Sequence, residues 1–151
     1  MKLILVQHGK SVGEEVDPQR PLSEAGRAET TRIARIVAES GLVKVSAIFH
    51  SGKLRARQTA EIFKKSLKPE RGMIEAYGIS PKDNSDKMLE LLTREKEDIM
   101  IVGHLPHLGR AAAKLVMGDE EARIVAFKYS GPVCFEMQPD GTWTVIPLLS
   151  F

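Results

Sequence analysis

Short runs of apolar residues alternate with longer amphipathic segments along most of this chain. Three runs are strongly apolar and are predicted to form buried strands, at residues 2–7, 45–50 and 98–103. A weaker run at 72–77 predicts a fourth strand. Unbroken apolar runs of this length are typical of parallel strands that are covered on both faces.

Four segments with helical spacing of apolar residues lie between or after these runs. The first is predicted to begin after Ser23, a suitable N-cap residue, and to end near Ser40-Gly41. The other three are predicted at about 52–66, from Ser85-Asp86 to about Glu95, and from Pro106 to about Met117, where Gly118 ends the helix.

The C-terminal part changes character, because its polar and apolar residues alternate as they do in antiparallel strands. Strands are predicted there at 123–129, 132–138 and 142–149, and the last two are joined by the turn residues 139–141. This order of elements predicts an α/β fold, a three-layer α/β/α sandwich with a mostly parallel central sheet and a C-terminal β-hairpin.

Composition places the chain among ordinary globular proteins. It has 151 residues, which suit one domain over 1–151, and a net charge of +2, which does not favour nucleic-acid binding. The single cysteine, Cys134, fits a reducing compartment. Because no apolar run has the length of a secretory signal or a membrane span, we expect a cytoplasmic protein without membrane or nucleic-acid partners.

Three of the four histidines stand where a predicted strand ends. These are His8, His50 and His104, while His107 lies near a predicted helix start. In open α/β sheets, ligands bind just beyond the carboxyl ends of the strands. One histidine at such a position is usually structural, but three of them favour a functional site at this edge of the sheet.

The residue types near these strand ends suit phosphoryl transfer. A neutral imidazole at His8 is a good nucleophile near neutral pH, and Gly9 would let a substrate approach it closely. Arg55 can hold two phosphate oxygens, and His104 could donate a hydrogen bond to a third. Helix N-termini after the strands add N–H groups and positive partial charge. Catalysis of phosphoryl transfer consists mainly of such positioning and charge stabilisation.

Three segments resemble the signature segments of the histidine phosphatase superfamily, which includes the cofactor-dependent phosphoglycerate mutases. They are Gln7-His8-Gly9-Lys10, Ser51-x-x-Leu54-Arg55-Ala56-x-Gln58-Thr59 and Val102-Gly103-His104. The resemblance also covers Arg20-Pro21-Leu22-Ser23-x-x-Gly26 and Asp140-Gly141-x-Trp143. The short chain is most similar to the SixA-type phosphohistidine phosphatases, so the resemblance implies a single histidine phosphatase domain with a phosphoglycerate mutase-like fold.

The resemblance also implies roles for individual residues. His8 matches the nucleophile that becomes phosphorylated, and Arg55 and His104 match residues that contact the phosphoryl group. Gln7 and Arg20 complete the expected phosphate-binding set. No metal and no cofactor are implied. The expected substrate is a phosphorylated protein histidine or, as the alternative, a small phosphomonoester.

Gln7 departs from the family pattern, which normally has arginine immediately before the nucleophile. Its amide can donate a hydrogen bond but carries no charge, and charge-assisted bonds are roughly twice as strong as neutral ones. Gln7→Arg is therefore predicted to raise activity or phosphate affinity, unless Lys10 or Arg57 supplies the charge. The same departure leaves open a weakly active or non-catalytic phosphate-binding protein.

The group that would protonate the leaving group has only weak counterparts in this chain. Asp83 is the nearest carboxylate in residues 77–84, the segment after the third predicted strand along the chain, with Glu75 before it. Asp83 is interpreted as a turn residue. A phosphohistidine substrate fits a missing acid, because its leaving group needs little help.

A metal-dependent hydrolase is a separate hypothesis for the same histidines. His8, His50 and His104 would then be the ligands, since three histidines can hold a catalytic zinc ion. Arg55 opposes this hypothesis, because a guanidinium is poorly placed beside a cation.

Overall fold

A computed structural model describes residues 1–148, which form one six-stranded sheet with two helices on each face. The strands are β1 (Lys2–Gln7), β2 (Ala47–His50), β3 (Met73–Glu75), β4 (Ile99–Gly103), β5 (Pro132–Met137) and β6 (Trp143–Ile146). The helices are α1 (Glu24–Ser40), α2 (Leu54–Leu67), α3 (Asp86–Arg94) and α4 (His107–Met117).

The strand order across the sheet is β3-β2-β4-β1-β5-β6. The first four strands are parallel, whereas β5 runs antiparallel to β1 and β6 antiparallel to β5. The predicted three-layer sandwich with a C-terminal hairpin is confirmed, and the hairpin makes the sheet mixed. Because β1 lies directly beside β4, the residues that follow these two strands meet at one edge.

The alternation of side chains along β1 shows why the strand is apolar throughout. Leu3 and Leu5 pack with residues of α3 and α4, whereas Ile4 and Val6 pack with residues of α1 and α2. All four side chains are buried. Both faces of the central strands are covered by helices, so a polar residue is tolerated only where the strand ends.

The four predicted helices are all present, with ends within a few residues of the predicted ones. The Ser23 hydroxyl accepts a hydrogen bond from the Gly26 N–H at 3.0 Å, as its N-cap role predicts. Gly41 ends α1 in the left-handed conformation, with φ of 68°. Among residues 1–148, no helix combines the length and the apolar character needed to cross a membrane.

The prediction of a strand at 123–129 is wrong. Only Tyr129 pairs there, in an isolated parallel bridge with Gln7. β5 occupies the edge of β1 from Lys2 to Val6, so only Gln7 is left to pair with this segment. Its apolar side chains, such as Ile124 and Phe127, instead pack against the α3/α4 side of the core. The run predicted at 142–149 forms β6, and its residue 149 lies outside the described residues.

Candidate active site

His8 and His104 lie side by side at the ends of two neighbouring strands. The His8 backbone N–H donates to the Gly103 carbonyl at 2.9 Å, which continues the β1–β4 pairing by one residue. The centroids of the two imidazole rings are 5.0 Å apart, and their planes are inclined at 53°. Both rings are buried, with 7% and 1% of the residue surface exposed. The structure therefore brings together two histidines that are 96 positions apart in the sequence.

The tautomer of His8 follows from its hydrogen bond. Its Nδ1 lies 2.7 Å from the Gly9 carbonyl oxygen, which can only accept, so Nδ1 carries the proton. In the neutral ring, Nε2 then has a free lone pair. Gly9 is also required by packing, because an added Cβ would lie 2.6 Å from Thr30 Oγ1 and 2.9 Å from Ser130 Oγ.

The Nε2 atom of His104 forms a hydrogen bond with Ser51. The His104 Nε2 lies 2.6 Å from Ser51 Oγ, and that oxygen also accepts the Lys53 N–H at 3.3 Å. When the Ser51 hydroxyl donates to Nε2, the ring proton of neutral His104 lies on Nδ1. This Nδ1 is buried and has no hydrogen-bond partner among the described residues. It is an unused donor within the site.

Arg55 reaches the site because α2 is tied to the loop after β1. The Thr59 hydroxyl donates to the Arg55 carbonyl at 2.8 Å and accepts the Gly9 N–H at 2.9 Å. Arg55 occupies the first turn of α2, and its buried Nε has no hydrogen-bond partner within residues 1–148. The guanidinium therefore keeps donors for a ligand.

Arg20 is held beside the same site by a second tie to α2. The Leu22 N–H donates to Gln58 Oε1 at 2.8 Å, which fixes the segment that contains Arg20. The backbone of Arg20 has a φ of 51°, an uncommon conformation for a residue with a side chain. Its guanidinium donates to Ser11 Oγ at 3.1 Å and to the Val12 carbonyl at 3.4 Å.

Burial and neighbouring positive charges keep both site histidines neutral. Burial lowers the pKa of His8 to about 4. The hydrogen bond to Gly9 opposes this shift, and the charges of Arg55 and Arg20 lower the pKa further by smaller amounts. Burial also lowers the pKa of His104 to about 3, helped by His8, Arg55 and Lys53. Two uncharged imidazoles at neutral pH are the form that nucleophilic attack and hydrogen-bond donation to an anion require.

Gln7 and Tyr129 border the two histidines. Gln7 is buried, stands opposite Gly103 in the sheet, and accepts the Ser130 N–H through its carbonyl at 2.8 Å. This pairing brings the Tyr129 ring to 5.8 Å from the His8 ring. Sequence reasoning did not identify Tyr129 as a site residue, and no motif marks it.

Ser51 and Lys53 were also missed as site residues. Both lie inside the second signature segment, between the end of β2 and the start of α2. Their position next to Arg55 was the signal that could have identified them.

His50 lies apart from the other two histidines. It ends β2, and its Nδ1 accepts the Gly52 N–H at 3.0 Å. Within residues 1–148, no group of three His, Cys, Asp or Glu side chains is placed to hold a metal ion. The ligand set of the alternative metal hypothesis, His8, His50 and His104, does not form such a group.

The two carboxylates considered as acids act elsewhere. The Asp83 carboxylate accepts the Ser80 N–H at 2.8 Å within a turn, and its charge raises the otherwise lowered pKa of buried His107. Glu75 is exposed and pairs with His50 in the sheet. The charged groups that shift the pKa values of His8 and His104 are cationic or imidazole groups.

Comparison with known proteins supports one family. The family model of the histidine phosphatase superfamily (branch 1) matches residues 3–80. No curated protein matches the chain significantly.

Several experimental structures share the fold over nearly the whole chain. The protein histidine phosphatase SixA complexed with tungstate is 21% identical, with a TM-score of 0.81 over 97% of this chain and 94% of that one. A protein from Agrobacterium tumefaciens named SixA is 24% identical, with a TM-score of 0.77 over 97% and 95%. Phosphoglycerate mutase from Plasmodium falciparum is 15% identical, with a TM-score of 0.68 over 97% and 88%.

The family model covers more than half of the chain and includes the first two signature segments. The third segment ends in His104, which lies beside His8 of the first segment. The chain therefore belongs to the histidine phosphatase superfamily.

Proposed function

We propose that this protein is a phosphatase that works through a phosphorylated His8, and that its substrate is a phosphohistidine of another protein. The observation that carries the proposal is the pair of buried, neutral imidazoles 5.0 Å apart beside Arg55. A free lone pair on one ring and an unused N–H on the other are the two functions that phosphoryl transfer to histidine needs.

In the first step, His8 Nε2 attacks the phosphorus atom of the substrate. The new Nε2–P bond forms as the N–P bond of the substrate breaks, and the substrate imidazole keeps the electron pair. The Nδ1–H of His8 stays bonded to the Gly9 carbonyl, so the phosphorylated ring is held in one orientation. Arg55, Arg20 and the His104 Nδ1–H would stabilise the charge on the transferring oxygens, and the Gln7 amide would add a neutral donor.

In the second step, water attacks the phosphorus of phospho-His8. The Nε2–P bond breaks with its electron pair returning to Nε2, both protons of the water leave on the inorganic phosphate, and His8 returns to its neutral form. The sequence of steps uses no metal ion and no cofactor, which is part of the proposal.

The surroundings of the two histidines favour phosphohistidine over a phosphate ester as the substrate. An ester alkoxide must be protonated as it leaves, and a general acid typically contributes about 10²–10⁴-fold to such a step. The charges that act on His8 and His104 include no carboxylate, and Glu14 acts on the Arg55 guanidinium instead. A substrate imidazole whose other nitrogen is protonated leaves as a neutral ring. The charge that this ring loses equals the charge that the His8 ring gains. Transfer between two imidazoles therefore needs no acid.

Two broader assignments accompany this proposal. A cytoplasmic location agrees with the single, buried cysteine, whose thiol is free. A single catalytic domain over 1–151 agrees with the one sheet that joins all strands of the described residues.

The test uses a protein that carries a radiolabelled phosphohistidine, mixed with the enzyme and quenched in alkaline detergent, because phosphohistidine is labile in acid. We expect transient label on the wild-type protein, release of labelled phosphate, and no label on His8→Asn. Asp83→Asn should change turnover by less than about twofold, since its carboxylate is occupied within a turn.

Phosphoserine and an aryl phosphate serve as the competing substrates. Turnover of phosphohistidine should exceed that of phosphoserine by about 100-fold or more, because only the ester needs an acid. Faster turnover of phosphoserine would instead assign a small-molecule phosphomonoesterase. Binding of tungstate without label from any donor would assign a non-catalytic phosphate-binding protein.

A further inference from the structure

We propose that Lys53 supplies the positive charge that Gln7 does not bring to the phosphoryl site. The inference rests on the proposed function, because it assigns Lys53 to the binding of the same transferring phosphoryl group. The substrate oxygens would then be held by Arg55, Arg20 and the Lys53 ammonium, with Gln7 as a neutral donor.

Lys53 is joined to the site through its backbone. It is the N-cap residue of α2, two positions before Arg55, with extended φ and ψ of −66° and 140°. Its N–H donates to Ser51 Oγ at 3.3 Å, and the same oxygen lies 2.6 Å from His104 Nε2. One hydroxyl group therefore separates the Lys53 backbone from an imidazole of the site.

The side chain of Lys53 is available for a ligand. It is exposed, and no ion pair of the described residues includes it. Its positive charge also lowers the pKa of His104, after the larger effects of burial, His8 and Arg55. The ammonium is thus close enough to the His104 imidazole for its charge to act on that ring.

The two cations that the sequence offered as replacements are differently placed. Arg57 lies 3.6 Å from Glu61 in an ion pair along α2, and its charge acts on His50. Lys10 is exposed, and it is absent from the charges that shift the pKa of His8 or His104. Of these three cations, Lys53 is the one that acts on His104 and forms no ion pair within residues 1–148.

A lysine at this position suits an open phosphoryl site. Its ammonium is a compact charge on a flexible stem, so it can follow an anion without the fixed planar geometry that arginine requires. Because the side chain is exposed, its attraction for the substrate should weaken as salt rises. The charge is therefore expected to act mainly on substrate capture, which appears in kcat/KM.

The test is a double-mutant cycle on Gln7→Arg and Lys53→Met, with kcat/KM for a phosphohistidine protein and the Kd for tungstate as readouts. Lys53→Met should lower kcat/KM about tenfold in the natural background, as expected for one charge-assisted contact. Gln7→Arg should raise kcat/KM. In the Gln7→Arg protein, Lys53→Met should lower kcat/KM only about two- to threefold. The Kd for tungstate should follow the same pattern, and the losses should shrink at high salt.

Lys68→Met is the matched control, because Lys68 flanks the opposite end of α2 and is also exposed. It should change neither readout. Equal losses from Lys53→Met in both backgrounds, or no loss in either, would overturn the compensation. If the wild-type protein never acquires label on His8, the proposed function fails, and the tungstate arm still decides whether Lys53 and Gln7 are coupled at an anion site.

Discussion

The edge formed by β1 and β4 differs from the end of β2, although a histidine lies at or directly after the end of each of these strands. His8 and His104 face each other at 5.0 Å, while His50 uses Nδ1 to accept the Gly52 N–H of its own turn. The register explains the difference, because His50 pairs with Val102, two positions before His104, whereas His8 directly follows the Gln7–Gly103 pair. An apolar run that ends in histidine is thus compatible with a reactive residue and with a structural one.

The charges around the two regions differ in sign as well. Arg55, Arg20 and Lys53 act on the β1/β4 histidines, without a carboxylate. His50 is also buried, which lowers its pKa, but Glu75 and Glu61 oppose that shift. Electropositive surroundings suit a phosphoryl group, whereas the mixed surroundings of His50 do not.

The largest contrast should come from the same substitution at the two strand ends. His8→Asn should lower kcat at least about 10⁴-fold and abolish phosphoenzyme labelling, because it removes the proposed nucleophile. His50→Asn should lower kcat less than about threefold, since the asparagine oxygen can accept the Gly52 N–H in a similar local turn. Rapid-quench labelling measures both. A phosphorylated His8→Asn protein would show that another residue is the nucleophile.

The two arginines near the start of α2 act on different regions: Arg55 acts on His8 and His104, and Arg57 acts on His50. Arg55→Met should lower kcat about 10²–10³-fold, as expected when one transition-state donor is lost. Arg57→Met should have an effect below about twofold, because it removes an exposed ion pair with Glu61. Steady-state kinetics of the two purified variants makes the comparison. Equal losses would mean that the charge of α2 acts as a whole rather than through Arg55.

Ser51 links the two regions, since it lies next to His50 in the chain and bonds to His104 in space. Ser51→Ala should lower kcat about tenfold, because the His104 tautomer loses its fixed partner. Nitrogen chemical shifts of His104 should then report a mixture of tautomers. Ser51→Thr keeps the hydroxyl and should restore both readouts. An unchanged tautomer in Ser51→Ala would remove the role assigned to Ser51.

The last prediction concerns stability in mild acid rather than activity. The folded-state pKa values of His8 and His104, about 4 and about 3, lie below the unfolded value of 6.5. The unfolded chain therefore binds more protons in this range, so stability is full above pH 6.5 and falls as pH drops towards these values. Each histidine contributes a slope of up to about 1.4 kcal/mol per pH unit.

Chemical denaturation at a series of pH values measures this slope. The His8→Asn/His104→Asn double variant should show a shallower fall in its free energy of unfolding than the wild-type protein. Identical slopes would contradict the lowered pKa values at this edge.

The fold was predictable where the information is local. The periodicity of α1 and its Ser23 cap, like the apolar runs of β1 and β4, depend on residues close together in the sequence. The strand predicted at 123–129 failed for a non-local reason, because strand formation needs a free neighbouring edge.

The site divides in the same way. The family motifs identified His8, Arg55 and His104, whose side-chain chemistry suits phosphate, and the structure places these residues together. They did not show that Ser51 bonds to His104 or that Tyr129 lies against the His8 ring. Both contacts join residues far apart in the chain, and no sequence pattern predicts either contact.

By itself, the sequence determined the layered α/β architecture, the family, and the kinds of side chain available for phosphoryl chemistry. Only the tertiary structure decided which histidines meet, which cations lie beside them, and which ring nitrogen keeps a lone pair. The reason is that periodicity and residue type are properties of neighbouring positions, whereas strand order, burial and hydrogen bonding across the sheet exist only after distant segments have packed together.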